Sequence, residues 1–456
     1  WAEYSAVSAS ENKRFFYKTS VRSRFPLEKT HSSPRCKPLI LCALCVLCGQ
    51  SPTLAIQIRE SRLARSPILI FTTLLMSSSE SGFSRKNPFP AVLSVNQKLT
   101  GEGSNKDTRH FEISLSGSGL KYEVGDSLGV FPSNTPTLVD LVLKNLGFSG
   151  EEQVTTADGT PATLSAALTT SYILTEPSKQ LLQAVSEKDS SGAFLADLLK
   201  PEEKGALENF LWGRDVLDVL EEFSAARFTP EEFVKVLRKL QPRLYSIASS
   251  QRAVGESVHL TVAVVRYKVE HSQRQREGVC STFLSERSAG GVPVFVHSAK
   301  HFRVPENTDA PVIMVGPGTG IAPFRAFLQE REATGAKGPN WLFFGEQRAA
   351  TDFLYQQEFD AAVSSGLLQK FTTAFSRDQT QKIYVQNRMI EHGKELFEWL
   401  EKGAYFYVCG DAKNMAKDVD AALHTIVEQN GGKSVDEARE YIDALKKEKR
   451  YRKDVY

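Results

Sequence analysis

The chain has 456 residues, of which 41% are hydrophobic and 24% charged, and its formal net charge at pH 7 is +2. This composition excludes a collagen, a disordered tail protein and a bundle of membrane helices, and the length predicts two or three domains. The charge is unevenly distributed, because residues 1–75 carry 11 Lys and Arg against 4 Asp and Glu, whereas residues 76–456 carry 45 and 50. No charge run is long enough to indicate nucleic-acid binding.

Residues 1–75 admit three interpretations. They are basic, serine-rich and poor in acidic residues, as targeting segments are. Residues 38–58 are mostly apolar, but the interruption at residues 49–52 leaves about 10 clean residues where a membrane span needs about 20. The first methionine is Met76. We therefore expect that translation really starts at Met76 and that residues 1–75 come from a start assigned too far upstream. A segment that targets the protein to an organelle is the alternative, and we expect no membrane span.

The cysteines and histidines predict no metal site. Cys42, Cys45 and Cys48 have the spacing of an iron–sulfur ligand run, but the Cys-Pro pair expected next is missing. Cys280 and Cys409 are far apart in the sequence, so no disulfide framework is implied and a reducing, cytoplasmic setting fits. The eight histidines contain no His-x-His or His-Glu-x-x-His pair.

The order of elements predicts a β unit interrupted by helices. Residues 76–90 form a flexible lead-in, and residues 91–135 alternate short β-type runs with glycine turns. Residues 136–240 are mostly helical. Strand patterns return at residues 244–248 and 258–264, so the two β pieces are expected to form one barrel or sheet around the insert.

Two signals within the insert predict helix ends. Leu138, Val142 and Leu146 recur at helical spacing, and Gly147 follows as a stop. A capping box of Thr229 and Glu232 predicts another helix start. Phe233, Leu237 and Leu240 are expected to share one face of the helix that follows.

After Pro305 the pattern becomes strand–helix–strand. Residues 311–315, 341–344 and 405–408 have strand patterns, and residues 324–331 a helical one. Alternation of this kind predicts a doubly wound parallel α/β domain.

A glycine-rich loop follows the first of these strands and precedes the helix. Gly316, Gly318, Thr319 and Gly320 would let the backbone approach a pyrophosphate at the helix N-terminus, although packing of a tight turn is the plainer interpretation. Glu346, at the end of the next strand, would by itself suggest NAD, because an acidic residue there accepts from the ribose 2′-hydroxyl.

A later cluster favours NADP. Ser376, Arg377 and Lys382 bring a hydroxyl, a guanidinium and an ammonium close in sequence, which suits a dianionic 2′-phosphate. Tyr384 offers a face for adenine, and Gln386 follows. An ordinary solvated basic patch remains the alternative.

Two further motifs carry hydroxyls beside basic or turn residues. Arg243 and Tyr245 share one face of a strand and Ser246 takes the other, a pattern that a plain edge strand would also show. Residues 278–282 supply a turn, hydroxyls and a helix start suited to phosphate.

Taken in order, these motifs resemble the ferredoxin–NADP reductase superfamily. The similarity falls in the diflavin branch that includes NADPH–cytochrome P450 reductase, and there it is greatest to the flavoprotein components of NADPH-dependent sulfite reductases. It rests on residues 122–126, 213–218, 243–250, 278–282, 316–331, 376–386, 407–411 and 450–456. The resemblance implies an antiparallel β-barrel FAD domain (91–135 and 241–304), a helical connecting insert (136–240) and a doubly wound parallel α/β NADP-binding domain (305–456).

The resemblance also implies roles for single residues. Arg243 and Ser281 would hold the FAD pyrophosphate, and Tyr245 and Tyr456 would cover the two faces of the flavin ring. The implied FAD-binding set is Arg243, Tyr245, Ser246, Gly278, Val279, Cys280, Ser281 and Tyr456. The implied NADP-binding set is Gly316, Gly318, Thr319, Gly320, Ser376, Arg377, Lys382, Tyr384, Gln386 and Asp411. The implied catalytic set at the hydride path is Ser246, Cys409, Asp454 and Tyr456.

One part of the family pattern is not found in this sequence. Residues 1–82 are too short for a flavodoxin-like FMN domain and contain two glycines, so we expect FAD and NADPH but no FMN. The expected activity is transfer of hydride from NADPH to FAD, with electrons passed to a separate acceptor in assimilatory sulfite reduction. That acceptor would be a sulfite reductase hemoprotein, a flavodoxin or a ferredoxin. A stand-alone ferredoxin- or flavodoxin-NADP reductase is the first alternative, and a non-catalytic docking subunit is the second.

Overall fold

The computed structural model describes residues 82–456. The expectations for the basic leader, including the start at Met76 and the Cys42, Cys45 and Cys48 run, lie outside the described residues. In residues 82–456, no helix combines the length and the apolar character that a bilayer span requires.

The first sheet contains six antiparallel strands drawn from both sides of the helical insert. In chain order they are β1 (Phe89–Lys98), β2 (Thr108–Ser114), β3 (Ser127–Val130), β4 (Arg243–Ser246), β5 (Ser257–Ala263) and β6 (Val292–His297). Their order in space is β4-β3-β6-β1-β2-β5. A bridge between Ile247 and Leu260 links the segment after β4 to β5, which brings the two end strands together.

The period-2 alternation of the strands separates two buried faces. Phe111 of β2 and Val258 and Leu260 of β5 are fully buried in the core of this sheet. The intervening residues His259 and Thr261 are also buried. The outer face of β5 is therefore covered by protein, and its polar side chains must find partners there.

The insert between β3 and β4 is helical, and its core is mostly leucine, valine and phenylalanine. Its helices are α1 (Pro136–Leu146), α2 (Leu164–Thr170), α3 (Lys179–Lys188), α4 (Leu195–Leu198), α5 (Lys204–Leu211), α6 (Val216–Glu222) and α7 (Pro230–Val236). A small hairpin of Gln153–Thr155 and Pro161–Thr163 and two 3-10 turns, Ser190–Gly192 and Pro201–Glu203, complete it. Gly147 ends α1 with φ of 75°, as its position in the sequence predicted.

The start of α7 is as predicted, but its end is not. Thr229 and Glu232 form the capping box at its start. The helix stops at Val236, because residues 238–240 pair with residues 171–173: Ile173 N donates to Arg238 O at 2.8 Å and Leu240 N donates to Ser171 O at 2.8 Å. The expectation that Leu237 and Leu240 continue the apolar face of α7 is therefore wrong, although both are buried.

Short elements fill the segments that flank β5 and β6. They are α8 (Gln251–Val254), a hairpin of Arg266–Tyr267 and Arg276–Glu277, α9 (Val279–Thr282), a π-helical turn (Phe283–Arg287) and a 3-10 turn (Ser288–Gly290).

The second sheet is parallel. Its strands are β7 (Val312–Val315), β8 (Asn340–Glu346), β9 (Lys370–Phe375), β10 (Tyr405–Gly410) and β11 (Tyr451–Val455), in the spatial order β9-β8-β7-β10-β11. Around it lie a 3-10 turn (Gly318–Ile321), α10 (Ala322–Ala333), α11 (Ala349–Asp352), α12 (Gln356–Ser364), α13 (Val385–Glu391), α14 (Gly393–Glu401), α15 (Met415–Gly431) and α16 (Val435–Lys447).

Both faces of this sheet are buried. Ile313 and Phe406 face a core built with α13 to α16, whereas Met314 and Tyr407 face a core built with α10 and α12. The strand order reverses beside β7, between β8 and β10. Open α/β sheets bind ligands at the carboxyl ends of strands at such a switch point.

Candidate functional site

Two cavities share a wall at the carboxyl ends of the parallel strands. The larger has a volume of about 430 Å³ and the smaller about 290 Å³. Thr319 and Tyr456 line both, and their hydroxyl oxygens lie 3.0 Å apart. The pair therefore stands where a ligand in one cavity would meet a ligand in the other.

The smaller cavity contains the strand motif of β4. Arg243, Tyr245, Ser246 and Ser281 all line it, as the resemblance implied for an FAD site. Nε of Arg243 is buried and has no hydrogen-bond partner among the described residues. A buried guanidinium nitrogen without an acceptor fits a site that receives an anionic group such as a pyrophosphate.

The other residues of the 278–281 motif do not line this cavity. Gly278 precedes α9, and Val279 and Cys280 are buried in its single turn. Oγ of Ser281 accepts from Val265 N at 3.2 Å and donates to Gly278 O at 3.3 Å. Of these four residues, Ser281 alone lines the cavity wall.

Three of the predicted catalytic residues converge from distant segments. Oγ of Ser246 donates to Oδ2 of Asp454 at 2.7 Å, and Asp454 is the register partner of Cys409 across β10 and β11. Burial raises the pKa of the Cys409 thiol well above its usual range, the Asp454 charge adds to this, and a hydrogen bond with Ser246 opposes it. Cys409 is therefore a neutral thiol at neutral pH.

The larger cavity collects most of the predicted NADP-binding residues. Gly318, Thr319, Ser376, Arg377, Lys382, Tyr384, Gln386 and Asp411 all line it. The segment after β9 is tied to the end of β8, because Ser376 N donates to Glu346 O at 2.9 Å and Arg377 N donates to Gln347 O at 2.8 Å. Basic and hydroxyl side chains thus surround one end of the cavity.

Three of the predicted cofactor residues also make structural contacts. A Cβ on Gly320 would lie 2.2 Å from Cys409 O, so Gly320 allows the 3-10 turn to pack against β10. A Cβ on Gly316 would lie 2.5 Å from Gly320 O, so Gly316 allows the turn to close on itself. Neither lines the cavity. The Asp411 carboxylate lines it but accepts from Asn414 N at 2.8 Å and Met415 N at 3.1 Å, so it caps α15.

Sequence reasoning missed one basic residue of the larger cavity. Nζ of Lys106, from the loop between β1 and β2, lies 2.8 Å from both carboxylate oxygens of Glu346. Both residues line the cavity. Nothing in the sequence around Lys106 indicates this contact, because it depends on how the two sheets pack.

Another missed cluster lies between the outer face of β5 and the parallel sheet. Among the described residues, His110, Glu112 and His259 form a group whose potential ligand atoms all lie within 4.8 Å of one another. Arg325 Nη1 lies 3.4 Å from His259 Nδ1, and an arginine can only donate, so the guanidinium charge disfavours a cation there. The i, i+2 spacing of His110 and Glu112 on one strand face was the available signal.

Comparison with known proteins agrees with this geometry. Residues 81–283 match the family model of an FAD binding domain, and residues 314–421 match that of an oxidoreductase NAD-binding domain. The chain is 47% identical over 382 residues to the sulfite reductase (NADPH) flavoprotein alpha-component of Bacillus subtilis (strain 168). The chain therefore contains regions that match an FAD binding domain and an oxidoreductase NAD-binding domain, in the order that the resemblance to the ferredoxin–NADP reductase superfamily implied.

Two further relatives are also sulfite reductase (NADPH) flavoprotein alpha-components. The protein of Vibrio cholerae serotype O1 is 46% identical over 389 residues and that of Aliivibrio fischeri 46% identical over 395 residues. The three alignments cover 83%, 85% and 86% of this chain but 63%, 62% and 64% of the relatives. The chain therefore spans less than two thirds of the length of the curated relatives it matches.

Proposed function

We propose that this chain takes a hydride from NADPH onto FAD and passes electrons to a separate acceptor protein in sulfite reduction. The observation that carries the proposal is the convergence of Ser246, Asp454 and Cys409 beside the wall shared by the two cavities. A protein that only docked onto a partner would have no use for a carboxylate, a hydroxyl and a neutral thiol at that junction.

FAD would bind in the smaller cavity. Arg243 would hold the pyrophosphate through the guanidinium that has a buried, unpartnered Nε, and Ser281 would present its hydroxyl beside it. Tyr245 would pack against one face of the flavin ring. Tyr456 would cover the other face and move aside for nicotinamide, since it already borders both cavities.

NADPH would bind in the larger cavity. Gly318 and Thr319 lie at the turn before α10, where backbone N–H groups favour a pyrophosphate. Ser376, Arg377 and Lys382 would hold the 2′-phosphate, and Tyr384, which is 44% exposed, would lie against adenine. This arrangement supports a preference for the phosphorylated dinucleotide.

When bound, FAD would supply the hydride chemistry, and the protein would supply orientation and local charge. Asp454 would stabilise the positive charge that develops on the nicotinamide, and Ser246 holds that carboxylate at 2.7 Å. Cys409, buried and neutral, would exclude water and fix the nicotinamide by contact. Asp454 would act through its charge and not as a proton acceptor, because its Oδ2 already accepts a hydrogen bond from the Ser246 hydroxyl.

The finer assignments belong to the same proposal. The FAD domain would comprise residues 91–135 and 241–304, the connecting insert residues 136–240, and the NADP-binding domain residues 305–456. The acceptor would be a sulfite reductase hemoprotein, reached directly or through a flavodoxin or another FMN protein. A cytoplasmic setting fits the two cysteines within the described residues, Cys280 and Cys409, which are both free thiols.

The test is electron delivery by the FAD-reconstituted chain under anaerobic conditions. NADPH would be supplied with a sulfite reductase hemoprotein, with and without an FMN protein, and sulfide formation would be measured. Sulfide formed in either mixture supports the proposal. If ferredoxin or flavodoxin is reduced but no mixture forms sulfide, the stand-alone reductase is favoured instead. If NADPH is not oxidised with any acceptor, the result favours a non-catalytic docking subunit.

A further inference from the structure

We propose that Lys106 is a specificity-determining residue, which favours a 2′-phosphorylated dinucleotide by neutralising the carboxylate of Glu346. The inference rests on the proposed function, because it concerns the same nucleotide cavity. It assigns the choice between NADPH and NADH partly to a residue of the loop between β1 and β2, outside residues 312–456, which carry the other residues of that cavity.

The pair is bidentate and largely withdrawn from solvent. Nζ of Lys106 lies 2.8 Å from both oxygens of Glu346, whose side chain is 2% exposed, while that of Lys106 is 28% exposed. Oε2 of Glu346 also accepts from Gln347 N at 2.8 Å. The neighbouring ammonium therefore cancels the charge of this carboxylate at short range.

The loop that carries Lys106 is fixed in position. Gly101 N donates to Thr351 O at 2.7 Å, which ties the loop to α11. Within the loop, Lys106 N donates to Ser104 Oγ at 2.9 Å and Thr100 Oγ1 donates to Lys106 O at 2.9 Å. Ser104 in turn hydrogen-bonds the buried carboxylate of Asp352. The ammonium is therefore supported from its own backbone and from the parallel domain.

The position of Glu346 explains why its pairing with Lys106 would affect the preference between NADPH and NADH. Its backbone carbonyl accepts from Ser376 N at 2.9 Å, so the side chain lies on the residue that anchors the predicted 2′-phosphate segment. An acidic residue at the end of this strand normally accepts from the ribose 2′-hydroxyl of NAD. Without a partner, its charge would repel the dianionic 2′-phosphate held by Arg377 and Lys382. When it is paired with Lys106, the carboxylate neither accepts from a 2′-hydroxyl nor repels a 2′-phosphate.

The experiment measures binding alone, by calorimetry with 2′,5′-ADP and 5′-AMP as probes that differ in the 2′-phosphate. Lys106→Met keeps the length of the side chain and removes its charge. We expect it to weaken the binding of 2′,5′-ADP by about tenfold or more, because the negative charges of Glu346 and the 2′-phosphate then repel each other at short range. The affinity for 5′-AMP should change by less than about threefold. Lys188→Met, at a surface ion pair of the helical insert, is the matched control and should change neither.

The second substitution separates charge masking from direct contact. The double variant Lys106→Met with Glu346→Gln also removes the carboxylate left without its ammonium partner, and it should recover 2′,5′-ADP binding to within about threefold of the parent chain. Equal weakening of both probes by Lys106→Met, with no recovery in the double variant, would overturn the inference and indicate that Lys106 holds a phosphate common to both. A parent chain that does not prefer 2′,5′-ADP over 5′-AMP would instead overturn the NADPH preference in the proposed function.

Discussion

Ser246 donates a hydrogen bond of 2.7 Å to Asp454 across 208 residues of sequence. The first residue ends β4 of the antiparallel sheet, and the second lies in β11 of the parallel sheet beside Cys409. The contact fixes the position of one sheet against the other at the point where the two cavities meet. A displacement between the sheets would therefore disturb the proposed hydride site.

Asp454→Asn tests the proposed role of this carboxylate. The substitution keeps the size of the side chain and removes the negative charge, so we expect the rate of flavin reduction by NADPH to fall by about tenfold or more. FAD content should remain that of the parent chain. Stopped-flow absorbance of the FAD-reconstituted protein measures both.

Asp420→Asn is the matched control for Asp454→Asn. Asp420 accepts from Tyr451 Oη at 2.8 Å and Lys453 Nζ at 2.7 Å, away from both cavities that carry the proposal. Asp420→Asn should leave the rate of flavin reduction within about twofold of the rate of the parent chain. Equal rates in Asp454→Asn and the parent chain would remove Asp454 from the hydride path.

Arg377→Ala tests the proposed 2′-phosphate contact. Loss of a guanidinium that faces a dianion should raise the KM for NADPH by about tenfold or more and leave the KM for NADH nearly unchanged. Steady-state oxidation of both nucleotides with an artificial acceptor measures the two constants. Arg439→Ala, at an exposed ion pair on α16, serves as the control. Similar changes for NADPH and NADH would count against the contact.

Gly320→Ala tests the packing of the glycine turn on β10. The added Cβ would lie 2.2 Å from a backbone oxygen, which cannot move without displacing the strand, so the free energy of unfolding should fall by about 3 kcal/mol or more. Gly205→Ala in α5 meets nothing within 4 Å and should raise it slightly, by up to about 1 kcal/mol. Urea unfolding followed by circular dichroism compares the two. An unchanged free energy of unfolding in Gly320→Ala would show that the turn is not packed against β10.

The buried histidines predict a stability that falls in weak acid. Burial, the Arg325 charge and His110 lower the pKa of His259 to about 4, and Glu112 opposes this. Burial and Arg325 likewise lower the pKa of His110. Because an unfolded histidine has a pKa of about 6.5, the unfolded state binds more protons below that pH. The free energy of unfolding should then fall between about pH 6.5 and pH 4, by on the order of 2–3 kcal/mol for His259.

Variants separate this effect from the protonation of carboxylates. His259→Gln cannot titrate, so the difference in unfolding free energy between it and the parent chain should shrink or reverse as the pH falls from 7 to 4.5. His424→Gln, at a partly exposed position on α15, is the control. A pH-independent difference for His259→Gln would mean that folding leaves the pKa of His259 unchanged, which would contradict the account.

Local signals in the sequence predicted the elements well. The capping box of Thr229 and Glu232 and the stop at Gly147 depend on contacts within a few residues, so their patterns are readable. Leu237 and Leu240 show the limit of such patterns. Their spacing suits a helix, but the pairing of residues 238–240 with residues 171–173 decides their conformation, and spacing within one segment does not show it.

The same distinction holds for the candidate sites. Motif residues such as Ser376 and Arg377 are neighbours in sequence, and they line the cavity together. Lys106 reaches Glu346 from 240 residues away, and His259 meets Glu112 only because β2 pairs with β5. Those contacts follow from sheet pairing and from the packing of the two sheets, which no single segment encodes.

The most direct test of the account is an anaerobic titration of the purified, FAD-reconstituted chain with NADPH, followed by the flavin absorbance near 450 nm. The account predicts that the chain retains one FAD, that one equivalent of NADPH bleaches it, and that NADH at the same concentration does so far more slowly. A chain that cannot be reconstituted with FAD, or that keeps its flavin oxidised in excess NADPH, would contradict it.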